Sequence, residues 1–147
     1  MTPVYYPFYK AIKGHERRII ENKLIYNEGK YSINFEELEE EASREDTKLI
    51  ILCNPHNPVG RVWTRDELKK VGEICIRNNV FIVSDEIHFD LIMEGHKHTI
   101  FSAISNEFKD NSILCTAPSK TFNLAGLQTS NIIIANKKIR DIVKSMV

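Results

Sequence analysis

Apolar runs alternate with amphipathic segments along most of the chain. Continuous apolar runs occupy residues 48–53, 80–85, 112–116 and 130–135, which is typical of strands buried on both faces. The segment RRIIENKLI, residues 17–25, indicates a further strand, and the polar residues after it predict a turn. The chain therefore supplies several short strands that need covering elements between them.

The segments between these strands carry helix signals. Two pairs, each a capping residue with a glutamate three positions later, indicate capping boxes that open helices. Apolar residues at helical spacing also predict a helix in the tail, residues 137–147. The capping pairs are Asn34 with Glu37 and Thr64 with Glu67, and their helices are predicted over about 35–43 and up to residues 78–79.

The alternation of strand and helix predicts crossover connections. We therefore expect an α/β fold, a three-layer α/β/α sandwich around a mostly parallel sheet. Residues 48–53, 80–85 and 112–116 should be parallel neighbours. Ligands of such sheets bind beyond the carboxyl ends of the strands, so the residues that follow these strands are the candidates for a site.

Polar groups follow all three strands. The loop Asn54–Gly60 contains two Asn-Pro pairs, which favour a fixed, non-helical backbone, and it could present the Asn57 amide to a ligand. Alternatively, Asn57 bonds its own backbone in a plain turn. Asp85 ends the second strand with no base nearby in sequence, so it needs a distant cation or a ligand; a helix cap or salt bridge is the alternative.

Lys120 follows the third strand. Desolvation at the end of an apolar strand would favour the free amine, a nucleophile and base, although most loop lysines are simply solvated. Together, an amide donor, a carboxylate and an amine match what pyridoxal phosphate (PLP) requires: a lysine for the Schiff base, an acid at the ring nitrogen and a donor to the phenolic oxygen.

Composition excludes several other classes of function. The 147 residues carry 20 acids and 20 bases, which argues against a nucleic-acid partner. No apolar run is long enough for a membrane span, so no membrane partner is expected. The three cysteines, Cys53, Cys75 and Cys115, lie far apart in apolar runs and indicate buried thiols of a reducing compartment, the cytoplasm, with no metal site.

Four motifs, in order and spacing, resemble PLP enzymes of the class I/II aminotransferase superfamily. Within it, the chain is similar to the MalY/PatB-type branch of cystathionine β-lyases, which are C–S lyases. The resemblance covers essentially all 147 residues and implies the large-domain fold of PLP-dependent transferases. The motifs are TPVYYPFY (2–9), NPHNPVG (54–60), SDEIH (84–88) and SKTFN (119–123).

The resemblance implies a role for each matching residue. Lys120 would hold the cofactor as a Schiff base and act as the catalytic residue, and Asp85 would keep the ring nitrogen protonated. Asn57 would donate to the phenolic oxygen. Tyr5 would stack on the ring, although an aromatic at this position is often a plain core residue. Ser119 would contact the phosphate, with a turn-stabilising serine as the alternative.

Two positions differ from the wider aminotransferase pattern and resemble the C–S lyase branch. His88 stands where many aminotransferases have a tyrosine, and we expect it to face the cofactor; Gln128 stands where many have an arginine. This favours a PLP-dependent C–S β-lyase over an aminotransferase. The implied substrate is an amino acid, cystathionine or a related S-substituted cysteine, cleaved to pyruvate, ammonia and a thiol.

The resemblance also implies that residues 1–147 are a fragment of the large domain. The upstream phosphate-binding loop and the small domain, whose arginine binds the substrate carboxylate, would lie outside it. The family suggests a homodimer. We therefore expect no turnover from this chain alone. The alternative to an enzyme fragment, from another class of function, is a folded remnant without catalytic activity.

Overall fold

A computed structural model describes residues 1–146, which form six α-helices, six strands and two short 3-10 helices, Phe101–Ala103 and Ala125–Leu127. The helices are α1 (Pro7–Gly14), α2 (Phe35–Ala42), α3 (Arg65–Arg77), α4 (Asn106–Asp110), α5 (Pro118–Thr121) and α6 (Lys137–Lys144). The strands are β1 (Ile25–Asn27), β2 (Lys30–Ser32), β3 (Leu49–Cys53), β4 (Phe81–Asp85), β5 (Ser112–Thr116) and β6 (Asn131–Ile134). The tail helix predicted over 137–147 is α6, and residue 147 lies outside the described residues.

The main sheet has the order β3-β4-β5-β6. Strands β3, β4 and β5 are parallel neighbours, as the apolar runs predicted, and β6 is antiparallel to β5. The register sets Cys53, Asp85 and Cys115 side by side. The ladder extends one residue further, since Asn54 N–H donates to Asp85 O and Glu86 N–H donates to Cys115 O, both at 2.9 Å. The predicted α/β class with a mostly parallel sheet is confirmed.

The two predicted capping boxes differ in the structure. At α3 the box is complete: Thr64 Oγ1 accepts from Glu67 N–H, and the Glu67 carboxylate accepts from Thr64 N–H at 2.7 Å. At α2, Asn34 Oδ1 accepts from Glu37 N–H at 3.2 Å. The Glu37 carboxylate instead accepts from Lys23 N–H at 2.6 Å and from the Asn22 amide at 2.9 Å.

The strand predicted over residues 17–25 is wrong, because only Ile25 belongs to a strand. β1 pairs with β2 in a separate hairpin, whose turn lies at the predicted polar residues. The physical reason lies in the partners of the preceding backbone. Lys23 N–H donates to the side chain of Glu37 in α2, and Thr2 forms an isolated bridge with Lys23. This segment therefore bonds to α2 and to Thr2 instead of joining a sheet.

The core lies between α3 and one face of the sheet. Leu68, Val71 and Cys75 of α3 form one buried cluster with Leu52 of β3 and Ile82 of β4. Side chains alternate across a sheet, and the opposite face is only half-buried at Val83 and Ile113. The carboxyl ends of these strands thus rest on a packed layer on one side and open toward the candidate site on the other.

No helix within residues 1–146 has the length and apolar character that crossing a membrane requires.

Candidate active site

A cavity lies at the carboxyl ends of β3, β4 and β5. It brings together five of the six residues that the sequence singled out, contributed by four separate segments of the chain. Ser119 does not line it, so its phosphate contact stays a prediction. The lining residues are Tyr5, Cys53, Asn57, Asp85, Ile87, His88 and Lys120.

Asp85 is a carboxylate with too few partners. Its one hydrogen bond within residues 1–146 is a long one, 3.4 Å from Ile87 N–H, and no lysine or arginine pairs with it there. Burial raises the pKa of Asp85 above its ordinary value. Since a buried carboxylate is costly without a cation or several donors, Asp85 is suited to receive a positively charged group from the cavity.

The neighbours of Asp85 in the sheet are thiols. Burial raises the pKa of Cys53 and of Cys115 to about 11 each, so both are neutral near pH 7. Cys53 lies in the cavity wall together with Ile87, and both were missed by sequence reasoning. Cys53 ends a predicted strand directly before the Asn-Pro loop, and its position there was the signal that could have identified it.

The loop Asn54–Gly60 is held by its own hydrogen bonds. His56 N–H donates to Arg61 O at 2.7 Å, and Gly60 N–H donates to His56 O at 2.9 Å. Gly60 has a φ of +70°, a conformation that glycine adopts without steric cost. Asn57 N–H approaches Cys53 Sγ at 3.5 Å, which leaves the Asn57 side chain at the cavity, where an amide can donate to a ligand.

His56 connects this loop to the segment that carries Tyr5. Its Nε2 lies 2.9 Å from Pro3 O, and its ring packs edge-on against Trp63 at 5.3 Å between centroids. Burial lowers the pKa of His56 to about 4, so the ring is neutral near pH 7 and Nε2–H is the donor. Tyr5 is thereby held at the cavity, 41% exposed, with its ring edge-on to Phe8.

Lys120 lies on α5, one turn after β5, and lines the cavity. The expectation that it is desolvated is wrong for this structure, because its side chain is exposed, as is most of the chain after it up to Ile133. It forms no ion pair within residues 1–146. Thr121 Oγ1 donates to Asp90 Oδ2 at 2.8 Å, a side-chain hydrogen bond next to the lysine.

His88 lines the same cavity as Asp85 and Lys120. Burial lowers the pKa of His88, and the positive charge of Lys120 lowers it further, while Asp85 acts in the opposite direction. The imidazole is therefore neutral near pH 7 and can both donate and accept a hydrogen bond. The structure places it at the cavity and not in the core.

The comparisons identify the family to which the chain belongs. The whole chain, residues 1–147, matches the aminotransferase class I and II family, and it belongs to that family. It is 53% identical over 92% of its length to cystathionine beta-lyase PatB of Bacillus subtilis strain 168. It is 35% identical over 95% of its length to protein MalY of Escherichia coli strain K12.

Solved structures show the same fold. Cystalysin of Treponema denticola, whose crystal structure contains a pyridoxal 5'-phosphate cofactor, superimposes with a TM-score of 0.94 at 52% identity. That match covers 95% of this chain and 36% of cystalysin. PatB and MalY are likewise each matched over 35% of their length, so the chain spans about a third of the relatives it resembles.

Proposed function

We propose that this chain forms the cofactor-binding core of a PLP-dependent C–S β-lyase. The observation that carries the proposal is that a half-buried carboxylate with few partners, Asp85, and a lysine, Lys120, line one cavity. The identities to PatB and cystalysin support the same function. The remaining parts of the active site would come from outside residues 1–147, which we infer to be part of a large domain.

The cavity residues fit the cofactor by their chemistry. Asp85 has no cationic partner within residues 1–146, and a protonated pyridine nitrogen would supply one. The Asn57 amide would donate to the phenolic oxygen, and the Tyr5 ring would pack against the cofactor ring. Lys120 would hold the group covalently. When bound, PLP supplies an electron sink that stabilises negative charge at the α-carbon of an amino acid.

The protein's own contribution is proton control. The Asp85 carboxylate would keep a proton on the ring nitrogen, because a charge-assisted hydrogen bond in this half-buried setting is strong. The Lys120 amine, exposed at the cavity, would accept the proton from the α-carbon as general base. His88, neutral and beside both groups, would hold the phenolic side of the site by a hydrogen bond.

The substrate class follows from the relatives and from two positions. We infer an amino acid with a sulfur leaving group, cystathionine or a related S-substituted cysteine, because PatB is a cystathionine beta-lyase and a solved relative from Staphylococcus hominis is a C–S lyase. Histidine at 88 and glutamine at 128 support the lyase branch. We propose that the complete enzyme is a cytoplasmic homodimer that has neither a nucleic-acid nor a membrane partner.

Aminotransfer is the second candidate. The chain is 38% identical over 100 residues to aspartate aminotransferase of Bacillus sp. strain YM-2, and both reactions begin with loss of the same α-proton. The complete enzyme separates the two candidates. Release of pyruvate and a thiol from cystathionine without an added keto acid supports the lyase, and strict dependence on a keto acid supports the aminotransferase.

The site itself is tested by labelling. PLP is added to the 147-residue chain, visible absorbance is recorded, and borohydride is used to fix any lysine-bound cofactor before peptide mass spectrometry. We expect the label on Lys120. The Lys120→Ala variant should lose it, and Lys97→Ala, a change of another exposed lysine, should keep it. A colourless sample, or equal labelling of Lys120→Ala, contradicts the proposal and favours a folded remnant.

A further inference from the structure

Glu86, next to Asp85, is buried outside the cavity wall. Its side chain is 1% exposed, and both carboxylate oxygens have partners. Oε1 accepts from Ser84 Oγ at 2.8 Å and from Phe101 N–H at 3.0 Å, and Oε2 bonds His98 Nε2 at 2.6 Å. The proposed reaction gives this satisfied carboxylate no role, although it is separated from Asp85 by a single peptide bond.

The partners of Glu86 close a loop. Residues 87–100, here called the site loop, contain no helix or strand, and loops of this length in a compact fold are commonly functional. Glu86 stands at the beginning of the site loop, and His98 and Phe101 stand at its end. The Asn54 side-chain amide adds a second hydrogen bond by donating to Thr99 O at 3.2 Å. This bond joins the end of the site loop to the loop Asn54–Gly60.

Two residues of the site loop reach the candidate site. His88 lines the cavity, and Asp90 accepts from Thr121 Oγ1 at 2.8 Å, one residue after Lys120. The site loop therefore carries one residue of the cavity wall and forms a hydrogen bond to the exposed helix that carries the lysine. The backbone bonds inside this stretch are turns, such as Leu91 N–H to His88 O at 2.9 Å, which do not fix its orientation on the sheet.

We propose that Glu86 and His98 are positioning residues that hold the site loop in one orientation against the cavity. The physical reason is the cost of any other arrangement, because moving His98 away leaves a buried carboxylate short of a donor. The bond to His98 joins side chains that are 8% and 1% exposed, so water cannot readily replace either partner. The proposal deepens the function proposed above and rests on it for the part that concerns the cofactor.

The test uses three variants of the 147-residue chain. His98→Leu removes the donor to Glu86, whereas His98→Gln returns an amide N–H close to the position of Nε2. His96→Leu makes the same change of residue type two positions earlier in the site loop, where the side chain is exposed, and it is the matched control.

The first readout needs no cofactor. Amide hydrogen exchange of Phe89, Leu91 and Phe101 should speed up at least about tenfold in His98→Leu, while amides of β4 and β5 keep their rates. His98→Gln and His96→Leu should resemble the unchanged chain. Unaltered exchange in the site loop of His98→Leu would overturn the proposal. So would an equal rise throughout the sheet, because that pattern reports a general loss of stability.

The second readout is the affinity for PLP, followed by visible absorbance. We expect the Kd of His98→Leu to rise roughly tenfold, since a misplaced site residue loses much of its interaction, with His98→Gln within about twofold of the unchanged chain. An unchanged Kd in His98→Leu rejects the positioning role. If the unchanged chain itself gives no label on Lys120, the proposed function fails, and the exchange measurement still decides whether Glu86 and His98 hold the site loop.

Discussion

The candidate site joins two regions of opposite character. Residues 49–85 form the packed region, where Leu52, Trp63 and Ile82 are completely buried. Residues 118–133 form the exposed region, where Phe122 and Leu127 are each 67% exposed. Asn57 and Asp85 stand on the packed region and Lys120 stands on the exposed one. The candidate chemistry is thus divided between a packed part of the chain and an exposed part.

This division explains why the acid and the amide are held by the fold while the lysine is not. The loop before α3 is fixed by Trp63, whose indole N–H donates to Cys53 O at 3.1 Å, and by the capping box at Thr64. In the exposed region, the residue after the lysine, Thr121, forms a side-chain hydrogen bond with Asp90. Four predictions test this contrast between the packed region and the exposed region.

The largest effect is expected from Trp63→Ala in the packed region. Removing a fully buried indole and its hydrogen bond should lower the free energy of unfolding by about 3–5 kcal/mol, enough to unfold much of a marginally stable chain. Phe122→Ala, a large-to-small change in the exposed region, should stay within about 0.5 kcal/mol. Urea unfolding of both variants measures these changes. Similar losses in the free energy of unfolding would contradict the distinction between the two regions.

The next effect is a pH dependence that arises from His56. Burial lowers the pKa of His56 from 6.5 to about 4, so the unfolded chain binds the proton more readily than the folded chain. Stability should therefore fall as the pH drops from about 6.5 toward 4, by roughly 2–3 kcal/mol between pH 7 and pH 4.5.

Asp85 works in the opposite direction, since its raised pKa favours the folded state as the pH falls. A variant is needed to separate the two contributions. His56→Gln retains a donor toward Pro3 O and does not titrate, so its urea midpoint should fall less than that of the unchanged chain between pH 7 and pH 4.5. Parallel pH profiles for the two proteins would contradict the assignment to His56.

Two glycines give a matched pair for packing. A Cβ at Gly72 in α3 would clash with the ring of Phe108, whereas a Cβ at Gly126 meets no atom within 4 Å. We expect Gly72→Ala to destabilise by about 1–3 kcal/mol through overpacking and Gly126→Ala to be near neutral. Thermal unfolding measures both, and a tolerated Gly72→Ala would show that Phe108 moves aside more readily than its stacking on Phe101 suggests.

The smallest effect is a gain in stability. The half-buried Asp85 carboxylate opposes folding in the cofactor-free chain, since desolvation raises its pKa. Asp85→Asn should therefore stabilise that chain by up to about 1 kcal/mol at pH 7 and at the same time weaken PLP binding. The exposed Asp110→Asn is the control and should change neither the urea midpoint nor the Kd. A loss of stability in Asp85→Asn would mean that the carboxylate is satisfied without a ligand.

The features that the sequence predicted well depend on local patterns. The apolar runs of β3, β4 and β5 and the Thr64–Glu67 capping box involve residues close in sequence, and strand polarity then brings Asn57, Asp85 and Lys120 to one edge. What failed depends on distant partners. The segment 17–25 contains Lys23, whose N–H bonds to Glu37 of α2. The exposure of Lys120 is set by the surroundings of α5. Glu86 bonds a histidine twelve residues away, which no local pattern marks.

The row Cys53–Asp85–Cys115 across three strands gives the cavity a floor that resists thiol reagents. Cys53 lines the cavity but is only 3% exposed, and burial raises its pKa to about 11, whereas Cys75 lies in the core with its pKa raised to about 12 by burial. Because the thiolate is the reactive form of cysteine, these thiols should react slowly with an alkylating reagent in the folded chain and quickly once the chain unfolds. Alkylation of the native thiols can therefore report unfolding, without any introduced probe.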